Sequence, residues 1–387
     1  MRGLRIKDII DIRSFEYKWD VIERIPEFAA LKGCSQSKKW HGEGDVWEHT
    51  KRVCAAASAR CASFEWEEET TWSSMLLCAA LFHDIGKPRT TEFKKGDWHS
   101  YGHENIGERI TRRLLWDEDY MLREGVCAMV RYHMEPLHVL NSKNYIERII
   151  EMSHNMDPAS WFLLIQLKLC DLDGSVQEDK IKYQKDYELL NFLDYFISVS
   201  GIQCYDTAPV SLRDPAKYIR SMNYGTEKIT VYVLIGISGS GKSTIAEKIQ
   251  ASCRRRGEKA IIINRDTVRA EMGLCLPGEK VKGTPEDEKK GSEKCDRMMV
   301  EAVQSGHTVI VDNMNLKRRY RNAMHELLKP WNISWKYIYV EAPSLDDNIE
   351  CRKKMVDEDT LNDMIENIDW PTFDEYHDFA IEKRVKE

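Results

Sequence analysis

The residues able to do chemistry in this sequence form two groups far apart along the chain. In the first, His49, His83, Asp84, His103 and His133 sit among small or apolar neighbours, in VWEHT, LFHDIG, YGHEN and VRYHM, and Asp171 follows Leu167-Lys168-Leu169-Cys170. Imidazole and carboxylate together suit Mn, Fe, Co, Ni or Zn with positions left open for water. An adjacent His-Asp pair at the end of a helix can aim two ligands at one cation from a rigid base. Taken singly, each of these histidines reads as a hydrogen-bonded core residue rather than a ligand, so the joint pattern carries the reading.

The second group begins with Gly236-Ile237-Ser238-Gly239-Ser240-Gly241-Lys242-Ser243, followed by Thr244. It fits GxxxxGK[ST], and it lies directly after a β-branched run and before a helical one, the context that motif requires. Backbone amides of Gly236, Ser238, Gly239, Ser240, Gly241 and Thr244 would cradle the phosphates of ATP or another nucleoside triphosphate. Lys242 would reach the β- and γ-phosphates and Ser243 would hold Mg²⁺. The motif is silent about the acceptor. Asp266, in Asn264-Arg265-Asp266, follows the strand-like KAIIIN, where a carboxylate can take the proton of an attacking hydroxyl; its place also suits a helix cap. Arg269, one turn on, could hold an acceptor phosphate. Asp312 ends TVIVD ahead of Asn313 and Asn315 and would steer Mg²⁺ or the acceptor, or serve an ordinary turn. Arg352, Lys353 and Lys354 lie late in this half, on a phosphate-covering lid or a solvated helix face.

These groups need rigid elements to hold them. Residues 1–200 read as almost wholly helical: VWEHTKRVCAAASARCASF, WSSMLLCAALFHDIG and PASWFLLIQLKLCDLDG carry apolar positions at helical spacing. Asp157-Pro158 is a predicted helix start, with Pro158 in the first turn. Residues 201–228 lose the period and read as a linker. Beyond them ITVYVLIGI, KAIIINRD, HTVIVDN and WKYIYVEAP alternate with helical stretches from residue 229 to 387, which implies a parallel sheet. The fold class expected is therefore multidomain: an all-α bundle followed by an α/β P-loop unit.

Composition limits the partners. Of 387 residues 42% are hydrophobic and 31% charged, the balance of a globular chain, and the net charge of −7 offers no global basic surface for nucleic acid. The 11 cysteines contain no CxxC pair and read as free thiols in a reducing compartment. No signal-peptide core or membrane-length apolar run is visible, so a soluble, cytoplasmic protein without a membrane partner is expected. Oligomeric state is not readable.

GISGSGKST, INRDTVR and IVDNMN together resemble the 5′-polynucleotide kinase domain of bacterial and phage end-healing enzymes, over residues 229–370. That resemblance implies transfer of the γ-phosphate to a 5′-hydroxyl, with Asp266 as general base and Arg269 on the acceptor phosphate. It departs at the lid, where Arg352 matches the first of two family arginines and Val356 stands in place of the second. HGEGDVWEHT, LFHDIGKPRTT and YGHENIGERI resemble the HD phosphohydrolase superfamily, closest to HD domains attached to bacterial tRNA nucleotidyltransferases. This implies His49, His83, Asp84 and Asp171 on one metal, Asp84 bridging to a second held by His103 and His133, and Lys87 on the phosphate. His138 competes with His133.

The order of the two halves resembles the bacterial HD-Pnk family over nearly the whole chain. It implies removal of a 2′,3′-cyclic phosphate or 2′-phosphate from a broken RNA end and phosphorylation of the 5′-hydroxyl of an RNA or DNA end. A separate RNA ligase would join them, since no KxDG motif occurs here. The alternative is a small-molecule or nucleoside kinase fused to a nucleotide phosphohydrolase.

Overall fold

The computed structural model describes residues 3–63, 71–200, 229–274, 284–342, 344–352, 356–372, 374–376 and 378–383. The chain divides into two compact units, Met1–Tyr218 and Ile219–Glu387. The linker expected at 201–228 lies outside the described residues.

The first unit opens with three one-turn helices, α1 (Ile6–Ile9), α2 (Trp19–Ile22) and α3 (Pro26–Ala29). Seven longer helices follow: α4 (Val46–Ser63), α5 (Thr71–Phe82), α6 (His103–Leu114), α7 (Tyr120–Tyr132), α8 (Tyr145–Met156), α9 (Trp161–Gly174) and α10 (Lys180–Ser200). Two small antiparallel ribbons interrupt them, β1 (Ile10–Asp11) with β2 (Glu16–Tyr17), and β3 (Glu92–Lys94) with β4 (Asp97–His99). The all-helical expectation missed both ribbons. Every residue from Ser73 to Phe82 in α5 and from Leu163 to Leu172 in α9 is buried. A helix apolar on all sides belongs at the centre of a bundle, and these two form the middle of a single core with α4. The start of α9 corrects the proline reading: Ser160 caps it by accepting from the Leu163 amide, and Pro158 lies before the helix.

Helices α6 and α7 are joined by buried charge. The Arg112 guanidinium donates to Glu124 at 2.9 Å and to Glu108 at 2.8 Å, Arg123 donates to Glu124 at 2.8 Å, and Arg131 to Glu108 at 2.7 Å. Arg112, Arg123, Glu108 and Glu124 are all buried. Such a network holds while every member is present and is costly when one is removed.

The second unit is a five-stranded sheet in the order β6-β7-β5-β8-β9, parallel throughout. The strands are β5 (Ile229–Ile235), β6 (Ala260–Ile263), β7 (Thr308–Val311), β8 (Ile333–Glu341) and β9 (Asp378–Lys383). The first four fall on the four β-branched runs; β9, an edge strand reading DFAIEK, was not anticipated. Val231, Val233, Leu234 and Ile235 are buried, so β5 is covered on both faces, as the central strand of a parallel sheet must be. Between and after the strands lie α11 (Lys242–Arg255), α12 (Arg265–Glu271), α13 (Pro285–Gln304), α14 (Arg318–Leu328), α15 (Leu345–Arg352) and α16 (Glu358–Glu366). No described helix is long and apolar enough to cross a membrane.

Replacing Glu124 by alanine would leave two buried guanidiniums short of a carboxylate. Urea denaturation is expected to show a loss of about 3–5 kcal/mol; a loss below about 1 kcal/mol, the scale of an exposed pair, would mean that the network does not tie α6 to α7.

Candidate functional sites

In the first unit, α4 supplies His49, the turn after α5 supplies His83 and Asp84, the first residue of α6 is His103, the residue after α7 is His133, and α9 supplies Asp171. Asp171 is reached through burial of α9 on all sides, and the chain passes from His83-Asp84 through a tight turn. A Cβ on Gly86 would stand 2.1 Å from the His103 carbonyl oxygen and 2.6 Å from the Gly107 amide. Only glycine lets this turn lie against the start of α6 and so bring His103 to Asp84.

The donor atoms converge in two groups, His49 with His83 and Asp171, and Asp84 with His103 and His133. His49 Nε2 is 3.0 Å from Asp171 Oδ1 and 3.3 Å from His83 Nε2. His103 Nε2 is 3.1 Å from His133 Nε2. Asp84 divides between the groups: Oδ1 is 3.3 Å from His103 Nε2, and Oδ2 is 3.3 Å from His83 Nε2 and 3.7 Å from His49 Nε2. His138 is exposed and belongs to neither group.

The outer nitrogens explain why the inner ones converge. The Nδ1 atoms of His83, His103 and His133 lie 2.9, 2.7 and 2.7 Å from the carbonyl oxygens of Ala80, Ser100 and Val130. Donation to a carbonyl places the proton on Nδ1 and the lone pair on Nε2. The His103 and His133 Nε2 atoms face each other across 3.1 Å, and nitrogens each about 2.1 Å from one cation stand about 3 Å apart. The donor set thus fits divalent ions.

Charge agrees with this. Burial works against the Asp84 and Asp171 carboxylates, but His83 and Lys87 around the first, and Lys168 and His49 around the second, hold both well below the usual range. Burial and the neighbouring His103 and His83 keep His133 well below its ordinary value, hence neutral. For His49 burial also opposes charge, yet Asp171 and Glu43 outweigh it and push the ring up to about 9. A cation entering the first group must therefore displace a proton.

Three partners of this site escaped the sequence reading. Glu43, whose side chain is covered, places Oε1 2.8 Å from His49 Nδ1 and 2.9 Å from His41 Nδ1, the carboxylate–histidine arrangement that orients a metal-binding ring. Lys168 points its amine 2.7 Å from Asp171 Oδ2. Its signal was present, as a lone lysine within the apolar run WFLLIQLKLC, three residues before the aspartate and therefore on the same helix face. Gln36 accepts from Lys87 at 3.3 Å, and the Lys87 amine also stands 2.6 Å from Asp84 Oδ2. Each metal-facing carboxylate is thus paired with a buried lysine.

In the second unit the carboxyl ends of β5, β6 and β7 meet, the place where parallel sheets hold ligands. Gly236 through Gly241 form the turn between β5 and α11, with Gly239 and Gly241 at φ of +79° and +101°. A Cβ on Gly236 would stand 2.4 Å from the Val340 carbonyl oxygen, so glycine is needed there. The buried Asn348 amide on α15 donates to the Ser238 carbonyl at 2.9 Å and fixes the loop from outside. Lys242 folds its amine onto the Ile237 carbonyl at 2.9 Å; Ser243 and Thr244 are exposed at the start of α11.

The helix-cap alternative for Asp266 is settled by its neighbour. Asn264 Oδ1 accepts from the Asp266 and Thr267 amides, and its Nδ2 donates to Asp312 Oδ2 at 2.8 Å. Asn264 is the cap, and Asp266 is exposed. Asp312 is buried at the end of β7, joined to β6 by that amide. Asn313 accepts from the Arg265 amide, and Asn315 donates to the Leu234 carbonyl at 2.7 Å, which stitches the loop after β7 to the phosphate-loop strand. Arg269 is more heavily engaged than expected. Its Nε and one terminal nitrogen donate to Glu288 at 3.0 and 2.7 Å, and the other donates to Asp266 at 2.7 Å. An acceptor phosphate would compete with Glu288 for this fork. Arg352 ends α15, while its side chain and residues Lys353 and Lys354 lie outside the described residues.

Residues 46–157 match the HD domain family and residues 231–371 match an AAA domain family. The chain therefore joins an HD domain to a P-loop kinase-like domain; such domains imply a nucleotide and Mg²⁺ for the second and divalent metal for the first. It is 26% identical over 164 residues to the multifunctional CCA protein of Pasteurella multocida, covering 41% of this chain and 37% of that protein. It is 33% identical over 121 residues to the CC-adding tRNA nucleotidyltransferase of Thermus thermophilus, covering 29% and 25%. To the adenylyl-sulfate kinase of Paraburkholderia xenovorans it is 26% identical over 110 residues, covering 28% and 57%. The chain thus spans little more than a third of the first relative and a quarter of the second.

Metal analysis after dialysis should find Asp84→Asn depleted at both positions and His103→Ala depleted at one, leaving about half the parent's metal content. Equal loss in both variants, or none in Asp84→Asn, would contradict the division of Asp84 between two groups.

Proposed function

We infer that this chain is a bifunctional RNA end-healing enzyme. The HD unit, residues 1–200, removes a 2′,3′-cyclic phosphate or 2′-phosphate, and the P-loop unit, residues 229–387, phosphorylates a 5′-hydroxyl polynucleotide end. The observation that carries the reading is the presence in one chain of a two-group cluster suited to cleaving a phosphoester and a P-loop pocket suited to making one.

In the HD unit His49, His83 and Asp171 would hold one divalent ion and His103 and His133 another, with Asp84 shared. Such a pair, when bound, supplies an activated water and neutralises charge on the phosphoryl oxygens. Lys87 and Lys168, which stand beside Asp84 and Asp171, would hold phosphate oxygens. Burial of both amines leaves little water to compete, which strengthens that contact. In the P-loop unit Lys242 holds the β- and γ-phosphates and Ser243 the Mg²⁺. Asp266, exposed in the first turn of α12, takes the proton of the 5′-hydroxyl. Arg269 aims that carboxylate through its 2.7 Å hydrogen bond, and receives the acceptor phosphate when Glu288 yields it. Asp312 would steer the hydrated ion, and Arg352 would belong to the lid. A tRNA nucleotidyltransferase among the relatives favours RNA. ATP is the donor in this reading, and a separate ligase seals the healed ends.

The adenylyl-sulfate kinase likeness favours a second reading, a small-molecule kinase joined to a nucleotide phosphohydrolase. Transfer of labelled phosphate from ATP separates the two. With a 5′-hydroxyl RNA oligonucleotide as acceptor, the parent should label the oligonucleotide, and Lys242→Ala and Asp266→Ala should lose about 100-fold or more. Neither substitution should slow hydrolysis of a 2′,3′-cyclic phosphate end. Labelling of adenylyl sulfate but not of RNA would overturn the end-healing reading.

A further inference from the structure

Between the turn that carries Lys87 and the start of α6 at His103, the chain runs out along β3 and returns along β4. The tip is a two-residue turn. Lys94 pairs with Asp97, and the residues between them both have positive φ, 54° at Lys95 and 84° at Gly96. Two positive φ angles define the type I′ turn, whose twist matches that of a two-stranded ribbon. The base of the ribbon is tied to the metal-facing residues. The Thr91 hydroxyl donates to the Lys87 carbonyl at 2.8 Å, the Ser100 carbonyl accepts from His103 Nδ1 at 2.7 Å, and the two hydroxyls, Thr91 and Ser100, are 2.7 Å apart. Ser37 holds the other strand by donating to Asp97 at 2.7 Å. The ribbon is therefore a stiff projection from the rim of the HD cluster.

Its side chains are unusual for such a place. Phe93 and Trp98 stand opposite each other in the ladder with ring centroids 5.1 Å apart, and His99 stacks on Tyr101 at 5.2 Å with planes only 6° from parallel. Phe93 is 61% exposed, Tyr101 71% and Trp98 38%. A cross-strand aromatic pair stabilises a ribbon by less than burying either ring would. Ribbon stability therefore does not account for three aromatics left in water. Five cations lie on or beside the ribbon, Arg89 before it, Lys94 and Lys95 at its tip, and Lys38 and Lys39 next to the Ser37 that braces it, against two carboxylates, Glu92 beside Lys94 at 3.4 Å and Asp97 on Ser37. In a chain with a net charge of −7, this is a local positive exception.

We propose that the β3–β4 ribbon is a stacking platform for single-stranded nucleic acid, receiving the bases next to the strand end whose phosphate lies at the Asp84 cluster. The proposal rests on the end-healing reading and names how that site takes a polynucleotide. Aromatic rings stack on any base, because every base presents a π-face, and lysines between the rings meet the phosphates that join the bases. A protein-docking patch has the opposite composition, a contiguous apolar centre depleted in lysine. Continuity with the site fixes the register: Lys87 and His103, the two ends of the projection, face the terminal phosphate, so the next nucleotides along the strand pass the rings.

Fluorescence anisotropy with the full chain and a 5′-labelled single-stranded RNA ending in a 2′,3′-cyclic phosphate tests this directly; the 5′ label blocks the kinase pocket. Phe93→Ala and Tyr101→Ala are each expected to weaken binding about tenfold, Tyr101→Phe to retain parental affinity, and Lys94→Ala to flatten the salt dependence. Parental affinity in both alanine variants would overturn the platform. Hydrolysis of a 2′,3′-cyclic mononucleotide by the parent is measured beside it. Absence of that hydrolysis together with ring-dependent RNA binding would contradict the end-healing chemistry and leave the platform standing.

Discussion

One buried carboxylate organises the first unit. Asp84 presents Oδ1 to His103 and Oδ2 to His83, His49 and Lys87, so two sets of ligands from five separate elements depend on a single rigid turn. That position is available only because the turn after α5 lies against the first residues of α6, an approach that a Cβ on Gly86 would block. Burial makes the arrangement decisive. Ionised groups out of water persist only with partners, and here each carboxylate has an imidazole on one oxygen and a lysine amine at hand. The Glu108–Arg112–Glu124–Arg123 network serves the same end from farther away, since it locks together the two helices that deliver His103 and His133.

The second unit solves a different problem, which is to place neutral amides and two carboxylates, Asp266 and Asp312, around a highly charged ligand. Asparagine does most of this positioning. Asn264 caps α12 and ties β6 to β7, Asn315 joins the loop after β7 to β5, and Asn348 braces the phosphate loop. An amide can donate and accept at once, so it links strand ends without adding charge. The buried Arg321, which donates to Glu375 and to the Asn315, Leu316 and Asp369 carbonyls, holds the loop that carries Asn313 and Asn315 against the rest of the unit.

Much of this was legible in the sequence, for reasons that can be named. Helices α5 and α9 announce themselves because full burial demands an apolar run of helical length, and β5 to β8 because each is a short run rich in β-branched or aromatic residues. The phosphate loop is legible because its glycines are required by backbone geometry. What escaped depends on partners distant in the chain. Glu43 gains meaning only beneath His49, Asn264 looks like any polar residue before a helix, and Glu124 looks like a solvated charge on an amphipathic helix. Edge strand β9 is short and half charged, and the β3–β4 ribbon carries its aromatics outward, so neither has the pattern of a buried strand. Lys168 is the exception, a buried amine whose place in an apolar helix could have been noticed.

The central claim is that Asp84 bridges two cation sites. Crystals of the full chain grown with Mn²⁺ and measured at the manganese absorption edge test it most directly. Two anomalous peaks are expected about 3.5–4 Å apart, one among His49, His83 and Asp171, the other between His103 and His133, with an Asp84 oxygen on each. A single peak, or two peaks with Asp84 bound to neither or only one, would contradict it.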